Sequence, residues 1–590
     1  MKKQVLVDRL GRLIFFLAAL LSLLSIIAIF GFLIKKSLPF FQSVDPGSFL
    51  FGRVWLPDRY DRYHSRLAGS YGVFPMLTGT LLSSTTALLV GGTLGYFLAI
   101  FTVFFCPRPL RGLFRAAVGV LAGIPSVVYG FFGISFLLPL LSRVTPTSGA
   151  GLVATALILG LMILPTVVAL YQTALEAVPK SDYAGAIALG VTHAQAVFGI
   201  VAPAARSGFL NALTLSLGRA LGETMAVMMV AGNAPTFIRG PFRSFRTLTA
   251  NIAMEMGYAG EVQEGALIAS GVVLLGLLLL VHLFLERSAG SLRNASQKRR
   301  SGSFFSNKSV KIYTAAAVGS GIVLAVAILL LLGFLLYRGL PAWLSSPTLL
   351  LGKFQFGGDS ITLLPSLVTT LMAAVAALLP AIPVGVMSAV YLHEYAERNT
   401  WLVRLLRRSI TLLAGVPSIV YGLFGMVAFL PLLGGSSSIL AGSMTVAILL
   451  LPTVIRTTEE SLAAVESGQR EGSFALGATK VRTLLRIVLP AALPGILSAT
   501  LLSLCRVIGE SAPFLYTMGS VLTALPKSYL DSGTTLAVAL YSLSGEGWHQ
   551  SEAYAAAVML IVLVLGLNIL TAHAAQRMQR KRPVSERRPI

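Results

Sequence analysis

Charge is scarce in this chain: Asp, Glu, Lys and Arg make up only 12% of its 590 residues. A soluble domain carries about 25%, so too little polar surface is available to cover a large water-soluble body. Cysteine is almost missing. Cys106 and Cys505 both lie at or within apolar runs, which leaves no disulfide framework and no cysteine metal cluster. The six histidines show no HExxH or comparable ligand spacing, so no metal site or metal cofactor is expected. No Ser, His and Asp arrangement suggests hydrolytic chemistry, and no GxxxxGK[ST] run exists to cradle nucleotide phosphates. The period-2 alternation of a membrane barrel is missing as well.

What remains is apolar. Hydrophobic residues reach 55% and the mean hydropathy is +0.81. About twelve runs come near the roughly 20 residues that cross a bilayer as helix: 13–36, 73–105, 113–141, 150–174, 205–235, 263–285, 312–337, 363–393, 408–433, 438–457, 490–519 and 553–575. Irregular backbone cannot face lipid, so the expected fold is all-α, a polytopic membrane protein. The first run is too long, and lacks a small-residue cleavage site, for a removed signal peptide; it reads as an anchor.

The net charge of +23 belongs to the ends of these runs rather than to one soluble face, which argues against nucleic acid as a partner. Lys2, Lys3, Arg9 and Arg12 precede the first run; Arg577, Arg580, Lys581, Arg582, Arg587 and Arg588 follow the last; Arg293, Lys298, Arg299 and Arg300 lie centrally. The positive-inside rule puts all three groups in the cytoplasm, with both termini. Lys35, Lys36 and the Arg53 to Arg66 segment fit less well, although aspartates partly offset the latter.

The chain repeats itself. Pro165 through Glu223 aligns without a gap on Pro452 through Glu510, matching Gly190 with Gly477, Pro203 with Pro490 and Arg219 with Arg506. Upstream, GIPSVVYGFFG (Gly123 to Gly133) repeats as GVPSIVYGLFG (Gly415 to Gly425), and the length difference falls near Arg143 to Ala150. Two six-span halves are expected, 1–288 and 311–590, joined by a polar, basic, Ser-rich linker at 289–310.

Three constellations stand out. Ser216, Arg219 and Glu223, and likewise Ser503, Arg506 and Glu510, fall at i, i+3 and i+7, one face of a helix about midway along an apolar run. A charge at the bilayer centre costs about 2.5–3.5 kcal/mol, so these must face protein or water. One reading is intrahelical Arg–Glu pairs that lock packing. The other brings Arg219 and Arg506 together as a cationic constriction for an anion, since a guanidinium's planar fork matches an oxyanion and stays charged. The glutamates then favour phosphate, which can retain a proton to donate, over sulfate, which at neutral pH has none. In the second constellation, Pro125 and Pro417 remove a helical hydrogen bond and their flanking glycines allow a kink; packing and hinge roles are expected for Gly123, Pro125, Tyr129, Gly415, Pro417 and Tyr421, with the tyrosines as alternative pathway residues. In the third, between the fourth and fifth spans of each half, a short helix, a glycine and an amphipathic stretch form a knob fit for another protein's groove.

This last segment carries a resemblance. Glu471, Gly472 and Ser473, then Gly477, then Ile487, Val488, Leu489 and Pro490 match the EAA-x3-G-x9-I-x-LP loop of ABC importer permeases. Ala184, Gly185, Ala186 and Gly190, then Ile200 to Pro203, follow the same spacing but depart at Ala184, where the motif has Glu, and at Ala202, where it has Leu. The wording of the halves is similar to the phosphate uptake permeases: GRALGETMAVMMVAGN (Gly218 to Asn233) resembles PstC, and CRVIGESAPFLYT (Cys505 to Thr517) with Ile361 to Ala396 resembles PstA. The resemblance implies a type I ABC importer permease fold, alternating access, a bacterial plasma membrane, phosphate as cargo, an extracytoplasmic phosphate-binding protein and a PstB-like ATPase pair on the coupling loops. The two subunits, normally separate chains, are here fused. Another oxyanion such as sulfate, molybdate or tungstate, or an ion-coupled carrier using the glutamates, stays open as an alternative.

Overall fold

The structure is a computed structural model, and it describes residues 2–57, 60–61, 66–67, 69–298, 307–345, 352, 361–397, 400–546 and 549–580. Within them helix prevails; the strands are two short antiparallel pairs, Trp55–Leu56 with Ser70–Tyr71 and Tyr60–Asp61 with Arg66–Leu67. Among the described residues ten helices are long and apolar enough to cross a membrane, or up to twelve when each of two bent pairs counts as one span. The expected all-α polytopic architecture is therefore present.

At four of the expected runs hydropathy has averaged over a backbone break. The run at 408–433 is two helices, Trp401–Gly415 and Ser418–Leu432, bent by 102°. The first of these buries Val403, Leu406, Ile410 and Leu413 while Trp401, Arg404 and Arg408 stay exposed. Such a helix suits the membrane boundary better than its interior. The run at 113–141 divides in the same way into Arg108–Gly123 and a span that begins only at Ser126. The runs at 205–235 and 490–519 end as helix at Gly222 and Gly509.

The chain folds as two compact units, and neither is a continuous half. One comprises 1–36, 346–548 and 559–590; the other comprises 37–345 and 549–558. In the first unit the N-terminal helix Lys2–Ser37 packs Phe16 against Tyr391 (5.4 Å) and Phe15 against Tyr395 (5.7 Å) with tilted rings, and meets Phe424 edge-on through Phe32 at 6.2 Å. Its Asp8 Oδ1 accepts the Val481 amide at 3.0 Å, and Gly11 lets Val481 approach. In the second unit the helix Asn307–Ser345 places Tyr313 against Phe97 (6.2 Å) and Phe198 (5.6 Å), and Phe334 against Phe136 at 5.1 Å.

Each unit thus takes a helix from the other half of the sequence. The halves 1–288 and 311–590 describe the repeat, whereas the units follow the aromatic surfaces that the first helix of each half finds. The linker is also shorter than composition suggests. Helix Glu261–Lys298 runs into it and Asn307 begins the next helix, while 299–306 and 581–590 lie outside the described residues. A long helix already nucleated extends cheaply through Ala, Leu, Arg and Lys.

Because the fragment before the linker donates Lys2–Ser37 to the first unit, cutting the chain should not part it. A protease site inserted between 299 and 306 and cleaved in detergent should leave two fragments that co-elute by size exclusion. Elution as separate fragments would contradict this account of the units.

Candidate functional site

The two arginines sit where a membrane helix stops. Helix Arg206–Gly222 has Arg219 in its last turn, and its C-cap Glu223 is extended at φ −70°, ψ 133°. Helix Leu489–Gly509 has Arg506 in its last turn, and Glu510 is extended at φ −75°, ψ 139°. Short helices, Met225–Val230 and Ala512–Thr517, follow. Ser216 and Arg219, like Ser503 and Arg506, share a helix, but the glutamates do not continue its face. This corrects the single-face expectation for Glu223 and Glu510. A glycine at the end of each helix weakens helix propensity at the junction, and the fixed cation in the last turn is favoured by the negative end of the helix dipole.

Interrupted backbone inside a bilayer is tolerated only where protein or a water-filled cavity receives it. The buried side of each break is met by protein, and the arginine side is open. Thr224 to Ala231 and Ser511 to Phe514 are buried, whereas Arg219 and Arg506 are exposed.

Each arginine has a partner that the sequence reading had not singled out. Arg219 Nη1 donates to Thr166 Oγ1 at 3.2 Å, and Arg506 Nη1 donates to Thr453 Oγ1 at 2.9 Å. The threonines follow Pro165 and Pro452 within Leu152–Glu176 and Ile439–Ala463. Both are half-buried between buried neighbours. Their signal was available, since each is the polar residue of a repeated Leu-Pro-Thr-Val run, but one Thr in an apolar span is unremarkable taken singly.

The halves use their glutamates differently. Glu510 Oε1 accepts Arg506 Nε at 3.4 Å, whereas Glu223 Oε1 accepts the Ala226 amide at 3.3 Å and the Glu223 carbonyl accepts Thr249 Oγ1 at 2.9 Å. Among the described residues an Arg–Glu ion pair at this position therefore occurs in the second half alone. Ser216 and Ser503 are fully buried, and among the described residues their hydroxyls have no hydrogen-bond partner.

The GIPS and GVPS segments buttress these breaks. Gly123 and Gly415 close one helix, and Pro125 and Pro417 cap the next. Tyr129 donates its hydroxyl to Leu121 O at 2.8 Å, and Tyr421 donates to Leu413 O at 2.7 Å. Each buried tyrosine therefore ties the two sides of the bend together. A Cβ on Gly130 would lie 3.1 Å from Ala226 Cα, and one on Gly422 would lie 3.1 Å from both Ala512 O and Pro513 Cα. The repeated glycines let the short helix beyond each glutamate pack backbone to backbone.

The knobs are built alike. Ala184 and Gly185 are in helix Lys180–Ala188, Glu471 and Gly472 in helix Ser467–Ala475, and all four are exposed. Gly190 (φ 83°) and Gly477 (φ 77°) are left-handed, which a Cβ would disfavour. Val191 N to Ala186 O (3.3 Å) with Gly190 N to Ile187 O (3.0 Å), and Ala478 N to Ser473 O (3.1 Å) with Gly477 N to Phe474 O (2.9 Å), complete a Schellman cap on each. At each tip stands a leucine, Leu189 at 84% and Leu476 at 90% exposure. Beyond the knob, Lys480–Gly509 is one uninterrupted span ending near Arg506, whereas His193–Ala204 and Arg206–Gly222 meet at 64°.

Comparison with known proteins agrees with this geometry. The family model described as "Binding-protein-dependent transport system inner membrane component" matches twice, over 91–294 and 381–580. A phosphate transport system permease protein PstA homolog of Mycoplasma pneumoniae is 28% identical over 516 residues, covering 76% of this chain and 77% of its own. The phosphate transport system permease protein PstC of Mesorhizobium japonicum is 35% identical over 258 residues, 40% of this chain and 75% of its own. The phosphate transport system permease protein PstA of Mycobacterium leprae is 40% identical over 205 residues, 34% of this chain and 67% of its own. Two matches spanning most of the chain, on two halves that repeat the same interrupted helix and the same capped knob, make this a double permease belonging to the inner membrane component family of binding-protein-dependent transport systems.

Proposed function

We propose that the chain is the transmembrane permease component of an ATP-driven importer of inorganic phosphate in a bacterial plasma membrane, working by alternating access, with both termini in the cytoplasm. The observation that carries this reading is the recurrence, in both halves, of an exposed arginine at an interruption of a membrane helix with a carboxylate on the next turn of chain. Guanidinium replaces part of the water an oxyanion sheds on entering. A carboxylate alongside accepts the proton that phosphate retains, which sulfate cannot supply. Glu510 also occupies Arg506 while no anion is present, through a long hydrogen bond of 3.4 Å that a phosphate oxygen can replace.

The chain has no P-loop, so ATP hydrolysis belongs to partner subunits. A PstB-like pair of ATPases would seat on the two knobs, with Leu189 and Leu476 as apolar anchors. Movement of the second knob would pass along the unbroken Lys480–Gly509 span toward Arg506; the first half would transmit through the bend at Ala205. The family's description implies a binding protein; on the present reading it is extracytoplasmic and delivers phosphate.

Two outcomes are expected. Arg219→Gln or Arg506→Gln should lower phosphate uptake by reconstituted complex about tenfold or more, equivalent to ~1.4 kcal/mol or above, and unchanged uptake would remove the arginines from the path. Leu189→Asp with Leu476→Asp should abolish co-purification of the ATPase pair while leaving the permease monodisperse. Retention of the pair would refute the docking role of the knobs.

A further inference from the structure

Serine and threonine hydroxyls within the helices of this protein usually turn back onto their own backbone. On the helix that carries Thr166, Thr155 donates to Gly151 O at 2.8 Å and Thr173 to Ala169 O at 3.0 Å. On the helix that carries Thr453, Ser443 donates to Ile439 O (2.7 Å), Thr445 to Ala441 O (2.8 Å) and Ser461 to Thr457 O (2.6 Å). Such back-bonding satisfies a hydroxyl in an apolar setting where no water competes.

Thr166 and Thr453 behave otherwise. Each uses its oxygen to accept a guanidinium N–H, and neither hydroxyl proton has a protein acceptor among the described residues. A threonine hydroxyl carries one donor and two acceptor lone pairs, so one capacity is used and the donor is left over. Thr166 and Thr453 are also the partly exposed positions in otherwise buried stretches, on the side where Arg219 and Arg506 are exposed. Two independent copies of the fold make the same choice.

We propose that Thr166 and Thr453 are ligands for the transported oxyanion: each holds its arginine by accepting from Nη1 and donates its own O–H to an anion oxygen. This rests on the anion-path reading of the arginines and extends it to a donor pair, guanidinium and hydroxyl, in each half. A tetrahedral oxyanion offers several acceptor oxygens, and an O–H donor beside the guanidinium fork engages one that the fork leaves free. The hydroxyl hydrogen bond is a charge-assisted one, so its loss is felt at the anion. A carboxylate cannot take this place, because it brings no proton at neutral pH.

The test uses the full chain reconstituted with its ATPase and binding-protein partners in proteoliposomes, with radiolabelled phosphate as probe. Thr166→Val with Thr453→Val removes both hydroxyls at nearly constant shape, and Thr166→Ala with Thr453→Ala does so without overpacking. Thr166→Ser with Thr453→Ser keeps them. Both hydroxyl-free pairs should cut uptake about tenfold or more at saturating loaded binding protein. Their co-purification with the ATPase pair and their elution as a monodisperse complex should match the parent, which separates a lost ligand from a misassembled transporter. The serine pair should remain within about twofold of the parent. Parental uptake in either hydroxyl-free pair, or a serine pair as defective as the valine pair, would overturn the proposal while leaving phosphate as cargo intact. A parent complex that moves sulfate or molybdate in place of phosphate would refute the cargo reading instead. The valine and serine comparison made with that anion would then decide the ligand role on its own.

Discussion

On the proposed reading, a guanidinium inside a bilayer is the constraint from which the remaining architecture follows. Facing lipid it would cost about 2.5–3.5 kcal/mol per residue, and the protein carries one in each half at the same aligned position, Arg219 and Arg506. Three devices make the charge tolerable. The arginine occupies the last turn of a helix, where the dipole favours a cation. It donates to a threonine on the neighbouring helix. It stands beside a break in the backbone, where polar groups have to be met by protein or water. The repeated segments that pack against the breaks, GIPSVVYGFFG in one half and GVPSIVYGLFG in the other, are then the means of packing them. Their glycines admit the helix beyond the break, and their tyrosines brace the bend.

The halves are alike in plan and unlike in detail. Arg506 is paired with Glu510 and lies at the end of one continuous helical span from its knob, whereas among the described residues Arg219 has no such pair and lies beyond a bend of 64°. The first knob also has Ala184 where the second has Glu471. A protein built from two separately diverging copies can keep one charge at each break while dividing coupling unequally between them. The Asp8 carboxylate, which accepts the Val481 amide at the start of this continuous span, adds a brace to the second half from the chain's own N-terminal helix.

Much of this was legible beforehand. Apolar runs located every span, because a bilayer permits few spanning structures, and the register of Pro165 to Glu223 on Pro452 to Glu510 exposed the duplication. The arginines and glutamates announced themselves as charges in apolar surroundings, and the spacing around Gly190 and Gly477 identified the knobs. Three features were not legible. Hydropathy windows smooth over a single extended residue, so the breaks at Glu223 and Glu510 read as continuous helix. A hydroxyl's choice between its own backbone and a neighbouring arginine leaves no compositional trace, which hid Thr166 and Thr453. Membership of helices Lys2–Ser37 and Asn307–Ser345 in units away from their own halves depends on which aromatic surfaces they meet, and a repeat pattern does not encode that.

The most direct test of the central claim, that the helix breaks hold their arginines in a water-filled anion path, is thiol accessibility. In a background with Cys106 and Cys505 replaced by alanine, Arg219→Cys and Arg506→Cys would be labelled with an anionic, membrane-impermeant methanethiosulfonate and compared with Leu329→Cys, which is 72% exposed on an apolar helix. The account predicts rapid aqueous labelling at 219 and 506, slowed by phosphate, and little at 329. Labelling at 219 and 506 no faster than at 329, and indifferent to phosphate, would contradict it.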